Sequence, residues 1–132
     1  MDDLRKIFED HKYYHFAIQS YDYSLDESNP VVTVRVSHYR QPEVVELIFS
    51  EVYFHSMMSE SFIFMHDEDD WEISEFIAKA KNSQLLDWVG SYTLLGAEHI
   101  IKLSELNHYR IFGQDHFLDI VTENKPKLKL IK

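Results

Sequence analysis

Residues 31–39, VVTVRVSHY, decide the fold more clearly than any other part of the chain. Val32, Val34 and Val36 alternate with more polar residues, so an extended backbone places them together on one side. Valine is β-branched and favours strands. The stretch therefore predicts a β-strand with one apolar face, which Gln41 and Pro42 terminate.

The residues before this strand predict a turn, another strand and a short helix. Leu25–Pro30 is rich in side chains that bond their own backbone, which indicates a turn. Tyr13–Tyr23 alternates aromatic and polar residues, so a strand is expected with Phe16 and Ile18 on the same face. Asp2–Lys12 carries apolar residues at helical spacing after two N-terminal acids, which predicts a short helix.

Two further stretches are rich in β-branched or aromatic residues. Val44–Met57 has a mixed periodicity that also suits a helix, but its composition favours one long, bulged strand. Ser61–Met65 is predicted to be a short strand.

The middle of the chain predicts helices. Apolar residues recur at helical spacing from Trp71 to Lys81. Asn82 and Ser83 then look like a break followed by a new N-cap. Leu85–Gly90 continues as a second helical stretch, which the glycine is expected to end.

The C-terminal third returns to β-structure. Apolar segments on either side of Gly113–Asp115 predict a hairpin, and Lys125–Lys132 alternates lysine with apolar residues as a charged edge strand does. The order of strands, helices and strands argues for an α+β fold. We expect an antiparallel β-sheet with a short N-terminal helix and a central helical segment packed on it, in one domain over residues 1–132.

Composition excludes several classes of function. The formal net charge is −10, which repels a phosphate backbone, so no nucleic-acid partner is expected. The absence of cysteine excludes disulfides, thiolate metal sites and a cysteine nucleophile. No apolar run approaches the ~20 residues of a membrane span, and the charged N-terminus does not resemble a signal peptide. We therefore expect a cytoplasmic protein without membrane association.

The most localised feature is an acidic run. Seven acidic residues and no Lys or Arg occur between Ser59 and Glu75. Like charges at this density cannot all be buried. Three interpretations compete: a solvated loop that caps the predicted helix, a docking surface for a basic partner, and a metal site. The spacing lacks the glycine and the distal glutamate of an EF-hand loop.

Motifs for catalysis and metal binding are weak. His11 and His15 have the spacing of zinc ligands but lack the glutamate of a zincin motif, so no metal or cofactor is expected. There is no Gly-x-Ser-x-Gly elbow and no glycine-rich phosphate loop. His108, His116 and Asp119 are the candidates if the chain is an enzyme or binds a small ligand, because the two histidines could face each other across the predicted hairpin.

Tyrosines in the predicted strands offer a further possibility. Their rings either pack against cross-strand neighbours or form an exposed surface that suits a protein interface. These residues are Tyr13, Tyr14, Tyr21, Tyr23, Tyr39 and Tyr53.

Two segments resemble small bacterial immunity proteins encoded beside polymorphic or contact-dependent toxins. They are residues 106–121, LNHYRIFGQDHFLDIV, and the Val44–Met57 stretch with the acidic run after it. The resemblance implies a non-catalytic inhibitor that blocks the active site of a toxin. Many such toxins are basic nucleases, and an acidic inhibitor mimics the phosphates that they bind. Because immunity families share no fixed functional residues, no site is carried over.

Charge and resemblance together predict a non-catalytic module that binds a basic protein, such as a toxin domain. The expected partner-binding residues are the acids, which steer the partner, and one aromatic anchor: Asp67, Glu68, Asp69, Asp70, Trp71, Glu72 and Glu75. The alternatives are a small-ligand-binding protein or enzyme with a pocket on the sheet, and a structural subunit with an exposed apolar face.

Overall fold

A computed structural model shows a chain dominated by antiparallel β-structure. It describes residues 16–26, 29–59, 70–74, 76–92, 105–114 and 116–131. Within these ranges nine strands and one helix are present, and the strands form two sheets.

Elements are numbered in chain order. The first sheet has four strands, in the spatial order β1 (Phe16–Asp26), β2 (Asn29–His38), β3 (Val44–Phe49) and β9 (Lys127–Ile131). The second has five, in the order β4 (Val52–Ser59), β8 (His116–Thr122), β7 (Asn107–Phe112), β6 (Ile77–Asn82) and β5 (Asp70–Ser74). Helix α1 spans Gln84–Tyr92.

The main core lies between the two sheets. The three alternating valines of β2 are fully buried, as the sequence pattern predicts. They belong to one cluster with apolar side chains of both sheets: Val45, Leu47, Phe49, Tyr109, Ile111, Leu118 and Ile120. Burying a side chain of this size stabilises the folded state by about 1.5–3 kcal/mol. This sandwich of sheets is therefore the dominant source of stability.

A second, smaller cluster lies on the opposite face of the second sheet, beneath α1. Val89 of the helix and Val121 of β8 are buried there with Leu106. Leu85, Leu86 and Phe54 pack around them. The helix therefore covers part of the outer face of the second sheet.

The predicted long strand over Val44–Met57 is wrong, because two strands occupy this stretch and belong to different sheets. The chain changes sheet at Glu51, which has a φ of 52°. The Glu51 N–H donates to Oδ1 of Asn29 at 3.0 Å, and the Thr122 hydroxyl donates to the Ser50 carbonyl. Contacts with distant strands therefore hold a corner that no glycine or proline marks.

The predicted helix over Trp71–Lys81 is also wrong. β5 and β6 form an antiparallel hairpin there, with Phe76 at its turn. Phe76 is fully buried and packs against Phe16, with ring centroids 4.8 Å apart. β6 also pairs with β7. Pairing on both sides provides hydrogen bonds and burial that override the helical spacing.

Other local predictions are confirmed. β1, β2, the β7–β8 hairpin and the lysine-bearing edge strand β9 all form. Ser83 caps α1, although the helix runs past Gly90 to Tyr92. The antiparallel sheet of the predicted α+β fold is present, with one helix on it among the described residues. The predicted helix over 2–12 and strand over 61–65 lie outside the described residues.

No helix in the described ranges is both long and apolar enough to cross a bilayer.

Candidate functional site

Only part of the predicted partner-binding set lies within the described residues. Asp70, Trp71 and Glu72 lie on β5, which is the last strand of the second sheet among the residues that the structure describes. The acids were expected to precede a helix, whereas Asp70 and Glu72 lie within a strand. Glu72 is exposed and lies opposite Lys79, while Asp70 lies opposite Asn82. Outside the described residues are Asp67, Glu68, Asp69 and Glu75.

Trp71 reaches from the edge strand across β6 to β7. Its register partner is Ala80, and Ala78 of the same strand lies opposite Arg110. Two small side chains on β6 leave room for the indole to pass over them. The ring meets His108 edge-on at 5.0 Å between centroids, and the Arg110 guanidinium lies 4.6 Å from its centre.

Arg110 is held between two aromatic rings and a carboxylate. The centre of the Phe117 ring lies 5.6 Å from the guanidinium. Its Nε donates to Oδ1 of Asp119 at 2.9 Å. A guanidinium placed against an aromatic face adds about 0.5–2 kcal/mol. Trp71 is therefore anchored on a side chain that is itself fixed.

His108 and Asp119 form a buried pair, 2% and 4% exposed. Nε2 of His108 lies 2.8 Å from Oδ1 of Asp119, and Nδ1 lies 2.8 Å from Oγ of Ser83. The Ser83 oxygen also accepts the N–H of Leu86 at 3.1 Å, which is the N-cap bond of α1. The serine hydroxyl hydrogen is thus left for Nδ1, and Nε2–H donates to Asp119.

The electrostatics of Asp119 follow from this environment. Burial alone would raise the pKa of Asp119, because it disfavours the charged form. The hydrogen bonds from His108 and Arg110, together with the positive charge of Arg110, outweigh burial and lower the pKa. The carboxylate is therefore held ionised beside the partly buried guanidinium.

A serine, a histidine and an aspartate, the residue types of a hydrolytic triad, meet here in a structural role. They are Ser83, His108 and Asp119. Ser83 is 5% exposed, and its hydroxyl is engaged both as the helix cap and with His108. A nucleophile must be reachable by substrate and activated by a base that is free to take its proton. The side chains that could do this chemistry are closed into the interior, where they join α1 to the sheet.

The predicted pairing of His108 with His116 is wrong. His108 lies opposite Val121, whereas His116 begins β8 and lies opposite Ser59. His116 is exposed, so it is separated from the buried pair. The described residues hold no group of three or more potential metal ligands.

The sequence did not reveal that Ser83 and Arg110 bind the pair formed by His108 and Asp119. Ser83 was recognised as a helix cap but not as a partner of His108, and Arg110 was not singled out. One usable indication existed: once the hairpin register is known, Arg110 and Asp119 are directly opposite on the same face. The contact of Ser83 with His108 has no such indication, because it joins residues 25 positions apart.

The tyrosines divide between the core and the surface. Tyr21 packs against the core, and its hydroxyl is hydrogen-bonded to Nδ1 of His55. Burial raises the pKa of Tyr21 and lowers the pKa of His55. Tyr23 stacks on His55 but is 48% exposed. Tyr39 and Tyr53 are also exposed, whereas Tyr13 and Tyr14 are outside the described residues.

Exposed Tyr53 is tied to the loop before β9. Its hydroxyl donates to a carboxylate oxygen of Glu123. The pKa of Tyr53 is raised to about 12. Burial is the largest cause, and the bond to Glu123 and the negative charges of Glu123 and Glu51 add to it. The phenol therefore stays protonated and acts as a fixed donor.

No protein-family model, curated protein or solved structure matches the chain.

Proposed function

We propose that this chain is a non-catalytic protein-binding module that captures a basic protein along β5, as an immunity-type inhibitor captures a toxin domain. The observation that carries the proposal is Trp71. Its indole is half-buried on β5 and is held by contacts with Arg110 and His108. Rigid aromatic side chains of this kind are the common anchors of protein interfaces.

Charge supports a basic partner. The chain has a net charge of −10, and its acidic run leads directly into β5. Such a field raises the association rate with a basic surface and weakens as salt is added. Lys79 opposite Glu72 reduces the local potential, so Asp70 and the acids before it are expected to contribute more to steering.

The burial of Ser83, His108 and Asp119 favours binding over catalysis at this face. Their hydrogen bonds are satisfied by one another, by Leu86 and by Arg110. A buried polar network that is fully satisfied rigidifies its surroundings. It thus supplies a firm base beneath the proposed anchor.

The test is a titration with the basic toxin domain that the proposal expects an adjacent gene to encode, and neighbouring genes that encode no basic protein would refute the proposal. Trp71→Ala is expected to raise Kd about tenfold to a hundredfold, mainly through faster dissociation. Asp70→Lys with Glu72→Lys is expected to slow association and to flatten its salt dependence.

The matched control is Asp22→Lys with Glu105→Lys, which changes the net charge equally at two exposed positions that are not part of β5. It should leave dissociation unchanged and slow association less than the β5 pair does. Absence of binding by the unaltered chain, or equal effects of the two charge pairs, would refute the proposed function.

A further inference from the structure

An unbroken series of contacts runs from the start of α1 to the edge strand. The Leu86 N–H meets Ser83, Ser83 meets His108, and His108 meets Asp119, at 3.1, 2.8 and 2.8 Å. Arg110 joins Asp119 at 2.9 Å, and both Arg110 and His108 touch Trp71. The series connects α1, β7, β8 and β5, and we call it the cap relay.

Each link of the cap relay constrains the next. His108 has two ring nitrogens, and both are used, one toward the helix and one toward the sheet. Rotation of the imidazole to suit a new partner at Nδ1 would also displace Nε2 from Asp119. The ring is 2% exposed, so water cannot replace a lost partner. Loss of one hydrogen bond is therefore expected to weaken the neighbouring contacts of the series.

We propose that Ser83 and His108 are positioning residues for Trp71. The hydrogen bond between the Ser83 hydroxyl and His108 would then restrict the motion of the Trp71 indole on β5. The inference rests on the proposed function for its effect on binding. Its structural part concerns the chain alone and can be tested without a partner.

Substitution of Ser83 by glycine, threonine or alanine distinguishes its function as a helix cap from its contact with His108. Threonine keeps a hydroxyl for both roles. Glycine is a good N-cap residue but has no group for His108, and alanine serves neither role. If the relay positions Trp71, glycine and alanine should loosen the indole equally, although only alanine weakens the helix substantially.

Trp71 itself supplies the measurement. The chain has two tryptophans, and Trp88 is half-exposed on α1, so Trp88→Phe leaves Trp71 as the sole indole emitter. In that background, Ser83→Gly and Ser83→Ala should both raise acrylamide quenching and lower anisotropy, while Ser83→Thr should match the parent. Helix content from circular dichroism should fall for Ser83→Ala more than for Ser83→Gly.

His108 variants provide a second route that does not alter the cap residue. His108→Asn places an amide near the position of Nδ1 and can face Ser83, but it is too short for Asp119. His108→Gln reaches toward Asp119 and loses the group that faces Ser83. Both variants should make Trp71 more mobile, because each breaks one of the two hydrogen bonds that fix the side chain at position 108.

The closing experiment measures binding of the basic toxin domain by the same single-tryptophan proteins. Ser83→Gly and Ser83→Ala are expected to raise Kd about fivefold to tenfold, through dissociation, and Ser83→Thr is expected to restore the parent value. If Trp71 mobility follows helix content, with glycine resembling threonine, capping alone is responsible and the inference is overturned. If mobility follows the relay but the parent binds nothing, the inference stands and the proposed function fails.

Discussion

The two outer sheet faces each carry an arginine opposite a carboxylate on neighbouring strands, and the pairs differ in burial. Arg35 and Glu46 lie opposite each other in the first sheet, with 3.0 Å between Nε and Oε2. Arg110 and Asp119 have the same relation in the second sheet, at 2.9 Å. The side chain of Arg35 is 52% exposed and that of Arg110 only 14%.

Their surroundings account for the difference. Lys129 of the edge strand lies opposite Glu46, so the first pair belongs to a charged face in contact with water. In the second pair, Arg110 contacts the rings of Trp71 and Phe117, and Asp119 also accepts a hydrogen bond from His108. Identical pairing therefore yields a solvated ion pair on one face and a structural network on the other.

The largest expected effect is the loss of the buried carboxylate. Asp119→Ala removes the carboxylate that accepts from Nε of Arg110 and from the buried Nε2–H of His108, so the free energy of unfolding should fall by about 3–5 kcal/mol. Urea denaturation measures this. A loss below about 1 kcal/mol would mean that the two pairs are equivalent and that burial does not distinguish them.

Acid should reduce the contribution of Asp119 in a predictable direction. The pKa of this carboxyl is lowered in the folded state, so the unfolded chain takes up its proton first as pH falls. Its stabilising contribution is complete above the ordinary carboxyl pKa of about 3.9 and is lost as pH falls from there toward the lower folded value. Denaturation of the parent chain and of Asp119→Asn between pH 7 and pH 2 should show the gap in stability narrowing below about pH 4. A gap that stays constant across this range would contradict the assignment.

The smallest expected effect belongs to the exposed pair. Glu46→Ala should lower the free energy of unfolding by about 0.2–1 kcal/mol, because water solvates the released guanidinium of Arg35. The effect should shrink further in ~1 M salt, where screening acts within a few ångströms. A loss as large as that of Asp119→Ala, measured under the same conditions, would remove the contrast between the faces.

The sequence correctly predicted the elements that depend on residues only a few positions apart. The valines of β2 are buried and the lysines of β9 are exposed, as their alternation indicates. The β7–β8 hairpin forms where the apolar segments around Gly113 predict it. Ser83 was identified as a cap because its role depends on residues within one turn. The immunity-type resemblance and the basic partner remain predictions.

The wrong predictions share one physical cause. Residues 71–81 have helical spacing and two alanines, and they form a hairpin because β7 pairs with β6 and because Phe16 covers Phe76. The break between β3 and β4 is held by Asn29 and Thr122, which are far away in the chain. Tertiary contacts thus outweighed local preference at both places.

The sequence by itself determined an acidic chain rich in alternating strands, with a capped helix after residue 83, since charge and short-range periodicity are properties of neighbours. Tertiary structure alone decided that Ser83, His108, Asp119, Arg110 and Trp71 meet. Their meeting depends on which strands pair and in what register. A one-residue change of register would turn these side chains to the other face.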